Sequence, residues 1–248
     1  MTEKPIIDYD RLHAESDDMA KSFGHAQPFS HIVIDDFISP EFTERLNREF
    51  PDLAAKKKAG SKHIPVYLDD GSEAQQGKEW LSRERLVPHV YRRLYWELNN
   101  NPFVGLLEKV TGISGLLADP HMAGGGVHNT STGGYLKVHA DFNKHPQYGL
   151  DRRLNLLIYL NENWPPEYGG DLELWTADMG NMAKKIAPVA GRCVIFQTTT
   201  TSFHGHPHPM TCPPDRGRRS IALYYYSNGR PQEEGDIEHG TLWQSTPA

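Results

Sequence analysis

The segment "YLKVHADFNKH", residues 135–145, places His139 and Asp141 one residue apart. In an extended chain residues i and i+2 face the same way, so a neutral nitrogen base and a carboxylate can grip one object. The same pair also serves as a hydrogen-bonded couple on a solvated face, so the chemistry depends on what else the chain supplies. Among its 13 histidines, "TTTTSFHGHPHPM" groups His204, His206 and His208. His204 directly follows the apolar run "CVIFQT", where a side chain can turn back into the mouth of a barrel; His206 and His208 flank prolines and read as loop residues. Two imidazoles and one carboxylate cover three corners of a divalent metal. They suit a ferrous ion with open positions or a tetrahedral zinc that keeps a water.

A cosubstrate pocket would separate those two metals. In "DRGRRSIALYYY" strand alternation puts Arg218, Ser220, Ala222 and Tyr224 on one face and Arg219, Ile221 and Leu223 on the other. With the apolar pair packed away, Arg218 and Ser220 look into the pocket. A guanidinium beside a hydroxyl is a receptor for a carboxylate, because its fork donates two parallel hydrogen bonds. In "RLNLLIYLN" the residues Arg153, Asn155, Leu157 and Tyr159 share a face, so Tyr159 adds a phenolic donor to that receptor.

These residues need a scaffold. From about residue 114 the texture is short extended runs punctuated by Gly, Pro and Asn: 135–141, 153–161, 171–175, 184–189, 193–198 and 218–226. Spacings near ten residues, with turns such as "EYGGD" and "VAGR", predict an antiparallel sandwich or barrel. The preceding third carries helical signals. Ser39 caps and Pro40 opens a helix whose Phe42, Leu46 and Phe50 share one face. A second helical region, "RERLVPHVYRRLYWELNNNPFVGLLEKVTG", breaks near Asn99–Pro102 and ends at Gly112. The organisation expected is one domain over 1–248: a helix-rich supporting part at 1–113, a catalytic core at 114–228 and a polar tail or surface wrap at 229–248. The tail holds one tryptophan, Trp243.

Composition narrows the partners. With 38% hydrophobic and 23% charged residues the profile is globular. No apolar run approaches the roughly 20 residues that span a bilayer, and the start lacks the layout of a secretion signal, so a cytoplasmic location is the expectation. A formal charge of -6 argues against a nucleic-acid backbone as partner. The basic run at 54–63 reads as a solvated loop. Cys193 and Cys212 match neither a disulfide framework nor a zinc finger, and read as reduced thiols.

The order "HAD", then His204 in "FHGH", then "RRS" resembles the HxD...H...R-x-S pattern of Fe(II)- and 2-oxoglutarate-dependent dioxygenases. It is most similar to the prolyl-4-hydroxylase-like branch, whose next strands carry "IYLN", "W" and "GG"; here they read "LIYLNENW" and "YGGDLELW". The likeness covers about residues 120–228. It implies a mainly β fold, a double-stranded β-helix (jelly-roll) core with a helical support layer. It implies His139, Asp141 and His204 as iron ligands, with Arg218, Ser220 and Tyr159 on the distal carboxylate of 2-oxoglutarate. No side-chain acid or base is required. The implied reaction consumes O₂ and 2-oxoglutarate, releases succinate and CO₂, and hydroxylates an unactivated C–H of a prolyl or other amino-acid side chain or of a small metabolite. Ascorbate is a further candidate cofactor. The alternatives are a zinc isomerase or hydrolase on the same core, and a ligand-binding sandwich.

This chain departs from the pattern in two places. The loop "HPHPMTCPPD" lengthens the interval from His204 to Arg218, which leaves Arg219 as an alternative anchor. Upstream of the HxD, His128 stands as the nearest polar candidate for the pocket. Lys137 shares the face of His139 and reads either as a mouth residue or as a strand-end lysine reaching for water. Arg152 and Arg153 are open in the same way. Tyr224, Tyr225 and Tyr226 read as strand packing. The sequence fixes neither the substrate nor the oligomeric state.

Overall fold

The computed structural model describes residues 5–53, 66–68, 71–234 and 237–245; the basic run at 54–63 lies outside them. Among the described residues eleven strands join into one curled antiparallel sheet. Along its path β1 (His31–Ile34) is followed by β8 (Cys193–Gln197), β5 (Asp151–Tyr159), β10 (Gly217–Ser227), β4 (Gly126–Ala140), β9 (His204–His206), β6 (Leu172–Trp175) and β7 (Met182–Ile186). The short β3 (Leu117–Ala118) pairs with β10; β2 (Gln75–Leu81) and β11 (Leu242–Trp243) pair with β4. The antiparallel strands expected from the spacing are observed, in the jelly-roll that the resemblance implied.

Strand β4 is the spine. Its first half pairs with β10, Arg218 opposite Thr130, and its second half with β9, His139 opposite His204. It turns from one neighbour to the other at Gly133–Gly134. Gly133 has φ +75°, and a Cβ on Gly134 would sit 2.6 Å from Thr130 Cγ2 and 2.8 Å from Gln76 O, so the close approach admits no side chain. The "GG" and the polar "HNTST" before it hid this half of the strand from an alternation reading, which began only at 135.

The helices α1 (Tyr9–His25), α2 (Pro40–Arg48), α3 (His89–Leu98) and α4 (Asn101–Thr111) cover one face of the sheet. Ser39 caps α2 by accepting from Phe42 N, and Gly112 ends α4 at φ +71°. Leu12, Leu46, Leu94 and Leu107 pack with Leu154, Leu156, Ile158, Ile221 and Leu223 in one buried cluster. The even-numbered residues of β5 and the odd-numbered residues of β10 thus face the helices. Their alternates face inward, toward a smaller cluster of Tyr159, Leu172, Leu174, Ile186, Val194 and Phe196. Helix α1 was not legible, because its polar sequence shows no apolar stripe beyond Leu12, Met19 and Phe23. Residues 237–245 lie along the edge of β4, Trp243 opposite His139.

Leu156 is fully buried between sheet and helices. Leu156→Ala is expected to cost about 2–5 kcal/mol, read as a lower urea midpoint at unchanged slope; a loss under about 1 kcal/mol would contradict this packing.

Candidate metal and cosubstrate site

His139 lies one residue from the end of β4 and His204 opens β9 directly across from it, so the ladder brings together two histidines 65 positions apart in sequence. Asp141 follows as β4 ends. Ligand atoms of the three lie within 4.8 Å of one another. His139 Nε2 is 3.6 Å from Asp141 Oδ1, and His204 Nε2 is 3.4 Å from Oδ2.

Each imidazole is fixed from behind. Nδ1 of His139 lies 2.9 Å from Lys137 O, and Nδ1 of His204 lies 2.9 Å from Ser202 O. A carbonyl only accepts, so each Nδ1 carries the hydrogen and each ring turns its Nε2 toward Asp141. Burial holds the His204 imidazole down at about 4, against the pull of Asp141. Burial works against ionisation of Asp141, yet its carboxyl is held well below the usual carboxylate range, the Arg152 guanidinium leading the opposing interactions. Two imidazoles and one carboxylate this close together make a ligand set that fits a divalent metal.

Arg152 is the residue that sequence reasoning left unplaced. Its Nη2 donates to Asp141 Oδ2 at 3.0 Å and to Asn155 Oδ1 at 2.6 Å, and Asn155 Nδ2 donates to Asp141 Oδ2 at 2.6 Å. Its guanidinium lies 3.4 Å from the Tyr224 ring centroid and 4.4 Å from that of Phe142. Simple alternation would turn Arg152 outward with Leu154. The register slips opposite Tyr225/Tyr226, so Leu154 pairs with Tyr225 but Arg152 with Tyr226. This bulge re-aims Arg152 inward. Arg153, read as sharing the inward face of Asn155, instead bonds Ser227 and Glu234.

Beside the triad a slot is lined by Lys78, His128, Thr130, Asn155, His206, Arg218, Ser220 and Tyr224 among others. Arg218 is buried and held by two contacts: Nε donates to Gly170 O at 2.6 Å and Nη2 to Tyr159 Oη at 3.2 Å. Gly170, the second glycine of "YGGD", has φ +77°, and a Cβ there would lie 3.0 Å from Arg218 Cδ and 2.7 Å from Met210 Sδ. Arg219 points the other way, 4.3 Å from the Phe50 ring centroid. Tyr159 faces the interior as expected but does not line the slot; its hydroxyl accepts from Arg218. Ser220 lines it.

The remaining candidates divide. His128 and His206 line the slot as buried neutral rings, His128 lowered to about 3 by burial and then by Lys78. His206 belongs to β9, not to a loop, and its role in the slot was missed because the flanking prolines masked the strand. His208 is exposed, 3.7 Å from Glu173. Lys137 lies over the Tyr135 ring at 5.5 Å and is not among the lining residues. Tyr224, read as strand packing, lines the slot; Tyr225 packs in the helix-facing core. Cys193 and Cys212 are unpaired and buried.

Residues 125–227 match the family model described as the 2OG-Fe(II) oxygenase superfamily. A mouse (Mus musculus) protein, prolyl 3-hydroxylase OGFOD1, is 27% identical over 206 residues; the match takes in 80% of this chain and 33% of the relative, so the chain spans about a third of its length. A Trichoplax adhaerens prolyl hydroxylase, solved with a peptide fragment of the hypoxia inducible factor oxygen degradation domain, superposes with TM-score 0.60 at 18% identity, covering 91% of this chain and 94% of that one. A Pseudomonas putida prolyl-4-hydroxylase gives TM-score 0.55 at 16% identity, covering 88% and 100%.

Arg152→Leu is expected to weaken binding of Fe(II), or of Co(II) as a stable substitute, by about 10–100-fold, because the carboxylate loses the partner that keeps it ionised and oriented. Unchanged metal affinity by calorimetry would show that Asn155 alone orients Asp141. The curled sheet, the order of triad and arginine, and the family match agree: residues 125–227 are similar to the 2OG-Fe(II) oxygenase superfamily, and the chain shares the fold of solved prolyl hydroxylases.

Proposed function

We propose that the chain is a 2-oxoglutarate-dependent hydroxylase acting on a prolyl or related amino-acid side chain, presented in a peptide or protein. The observation that carries the reading is the buried triad of His139, Asp141 and His204 in a slot also lined by Arg218. A zinc hydrolase does not need an arginine clamped at Gly170 O and Tyr159 Oη, whereas a cosubstrate with a distal carboxylate is well served by such a cation. The prolyl hydroxylases among its relatives support the side-chain class; a small metabolite with similar groups is the second reading retained from the sequence.

In this reading His139 Nε2, His204 Nε2 and Asp141 hold Fe(II). Bound iron with 2-oxoglutarate and O₂ supplies the oxidising chemistry, releasing succinate and CO₂ as the C–H is hydroxylated. The protein's own residues orient and exclude. Lys137 O and Ser202 O fix the two ring tautomers. Arg152 and Asn155 hold Asp141 ionised and turned toward the metal position. Arg218 receives the distal carboxylate with Ser220 as a second donor, and Tyr159 acts through Arg218 by setting the plane of its guanidinium. Trp243, with its ring 4.7 Å from that of His139, covers the outer side of that ligand.

Asp141→Ala is expected to abolish retention of iron and turnover together; succinate formation at the unsubstituted rate would exclude the ligand assignment. Arg218→Ala is expected to leave iron binding intact while raising the 2-oxoglutarate concentration needed for half-saturation by about tenfold or more, the loss of a charge-assisted pair. The reading as a whole is tested anaerobically: Fe(II) followed by 2-oxoglutarate produces a visible charge-transfer band, and on admission of O₂ proline-containing peptides gain one oxygen by mass. A folded, iron-loaded protein without the band would overturn it.

A further inference from the structure

Among the described residues Lys78 is the one lysine lining the slot, and it comes from β2, outside the stretch that carries the family pattern. Its placement follows from two registers. On one side of β4, Arg218 of β10 stands opposite Thr130; on the other, Lys78 of β2 stands opposite the same Thr130. Directly opposed residues share a sheet face, so Lys78, Thr130 and Arg218 form a row across three adjacent strands. Strand spacing puts the two outer backbones about 9–10 Å apart, within the joint reach of a lysine and an arginine.

A local device aims Lys78 into that row. The register of β2 against β4 slips between Gln76 and Lys78, and the residue in the slip is Gly77 at φ +66°. A Cβ at Gly77 would lie 2.8 Å from Ser131 Oγ and 3.0 Å from Gly134 Cα. A glycine bulge of this kind re-aims the side chain that follows it.

Resting on the oxygenase reading of the site, we propose that Lys78 is a second cation for the distal carboxylate of the cosubstrate, sharing it with Arg218 across Thr130 and making the slot selective for 2-oxo dicarboxylates. Arg218 spends Nε on Gly170 O and part of Nη2 on Tyr159, so it cannot alone meet all the acceptor capacity of a carboxylate. Thr130 lines the slot between them in the register. The surroundings are consistent with this: burial in the slot lowers the Lys78 ammonium to about 8, with Asp141 opposing and Arg218 and Arg152 adding to the fall. An anion seated between Lys78 and Arg218 relieves that repulsion.

The test uses the anaerobic, Fe(II)-loaded protein and reads binding by the charge-transfer absorbance, with 2-oxoglutarate and with 2-oxopentanoate, which has the same chain without the distal carboxylate. Lys78→Met keeps the length of the stem, and Lys78→Gln serves if the Met variant loses iron. Removal of the ammonium is expected to raise the Kd for 2-oxoglutarate by about tenfold or more and to move that for 2-oxopentanoate by less than about twofold. An unchanged 2-oxoglutarate Kd overturns the proposal, as does an equal loss for both acids, which would assign Lys78 to the metal end of the slot. Absence of the band in the unsubstituted protein would sink the oxygenase reading itself; a band there that the substitution does not weaken sinks only the role of Lys78.

Discussion

A carboxylate kept ionised where water is scarce is the constraint on which the rest of the site depends. The Asp141 side chain is 13% exposed and stands between two histidines. Left to desolvation it would take up a proton and cease to be a metal ligand. Arg152 prevents this, and Arg152 is itself fully buried, so its own charge is supported by Asp141, the Asn155 amide and the faces of Tyr224 and Phe142. The cluster is interdependent: removal of either charge leaves the other buried and unpaired, which is far costlier than removing both. The polar chemistry of the slot is therefore also a folding constraint on β4, β5 and β10.

Strand β4 transmits that constraint through the molecule. It carries His128 and Thr130 in its first half and His139 near its end, and its bend at Gly133–Gly134 lets one strand border Arg218 with β10 and His204 with β9. The glycines of "YGGD" and of β2 do similar work at single points, giving backbone room beside Arg218 and Lys78. The helices contribute by burying the other face of β5, β8 and β10, so that the inward face is free to be polar.

Much of this was legible in the residues alone. The two-residue period of β10 put Arg218 and Arg219 on opposite faces but left Arg219 as an alternative anchor; the helical pack on Ile221 and Leu223 is what turns Arg218 to the slot and Arg219 to Phe50. The capped and Gly-terminated helices were legible because caps are local chemistry. What escaped reading was set by departures from regular geometry. A bulge turned Arg152 inward and displaced Arg153; a glycine slip aimed Lys78; β2, "QQGKEWL", lacks the apolar alternation of a strand because it lies at an edge with a polar face. Trp243, placed in a polar tail, meets His139 only through a long-range strand pairing that no local signal announces.

The central claim is spatial, and diffraction from anaerobically grown crystals loaded with Fe(II) and 2-oxoglutarate addresses it most directly. Anomalous scattering at the iron edge should give one peak bounded by His139 Nε2, His204 Nε2 and a carboxylate oxygen of Asp141, with the far carboxylate of the cosubstrate against Arg218. Iron held by other residues, or a cosubstrate lying with both carboxylates away from Arg218, would contradict the account.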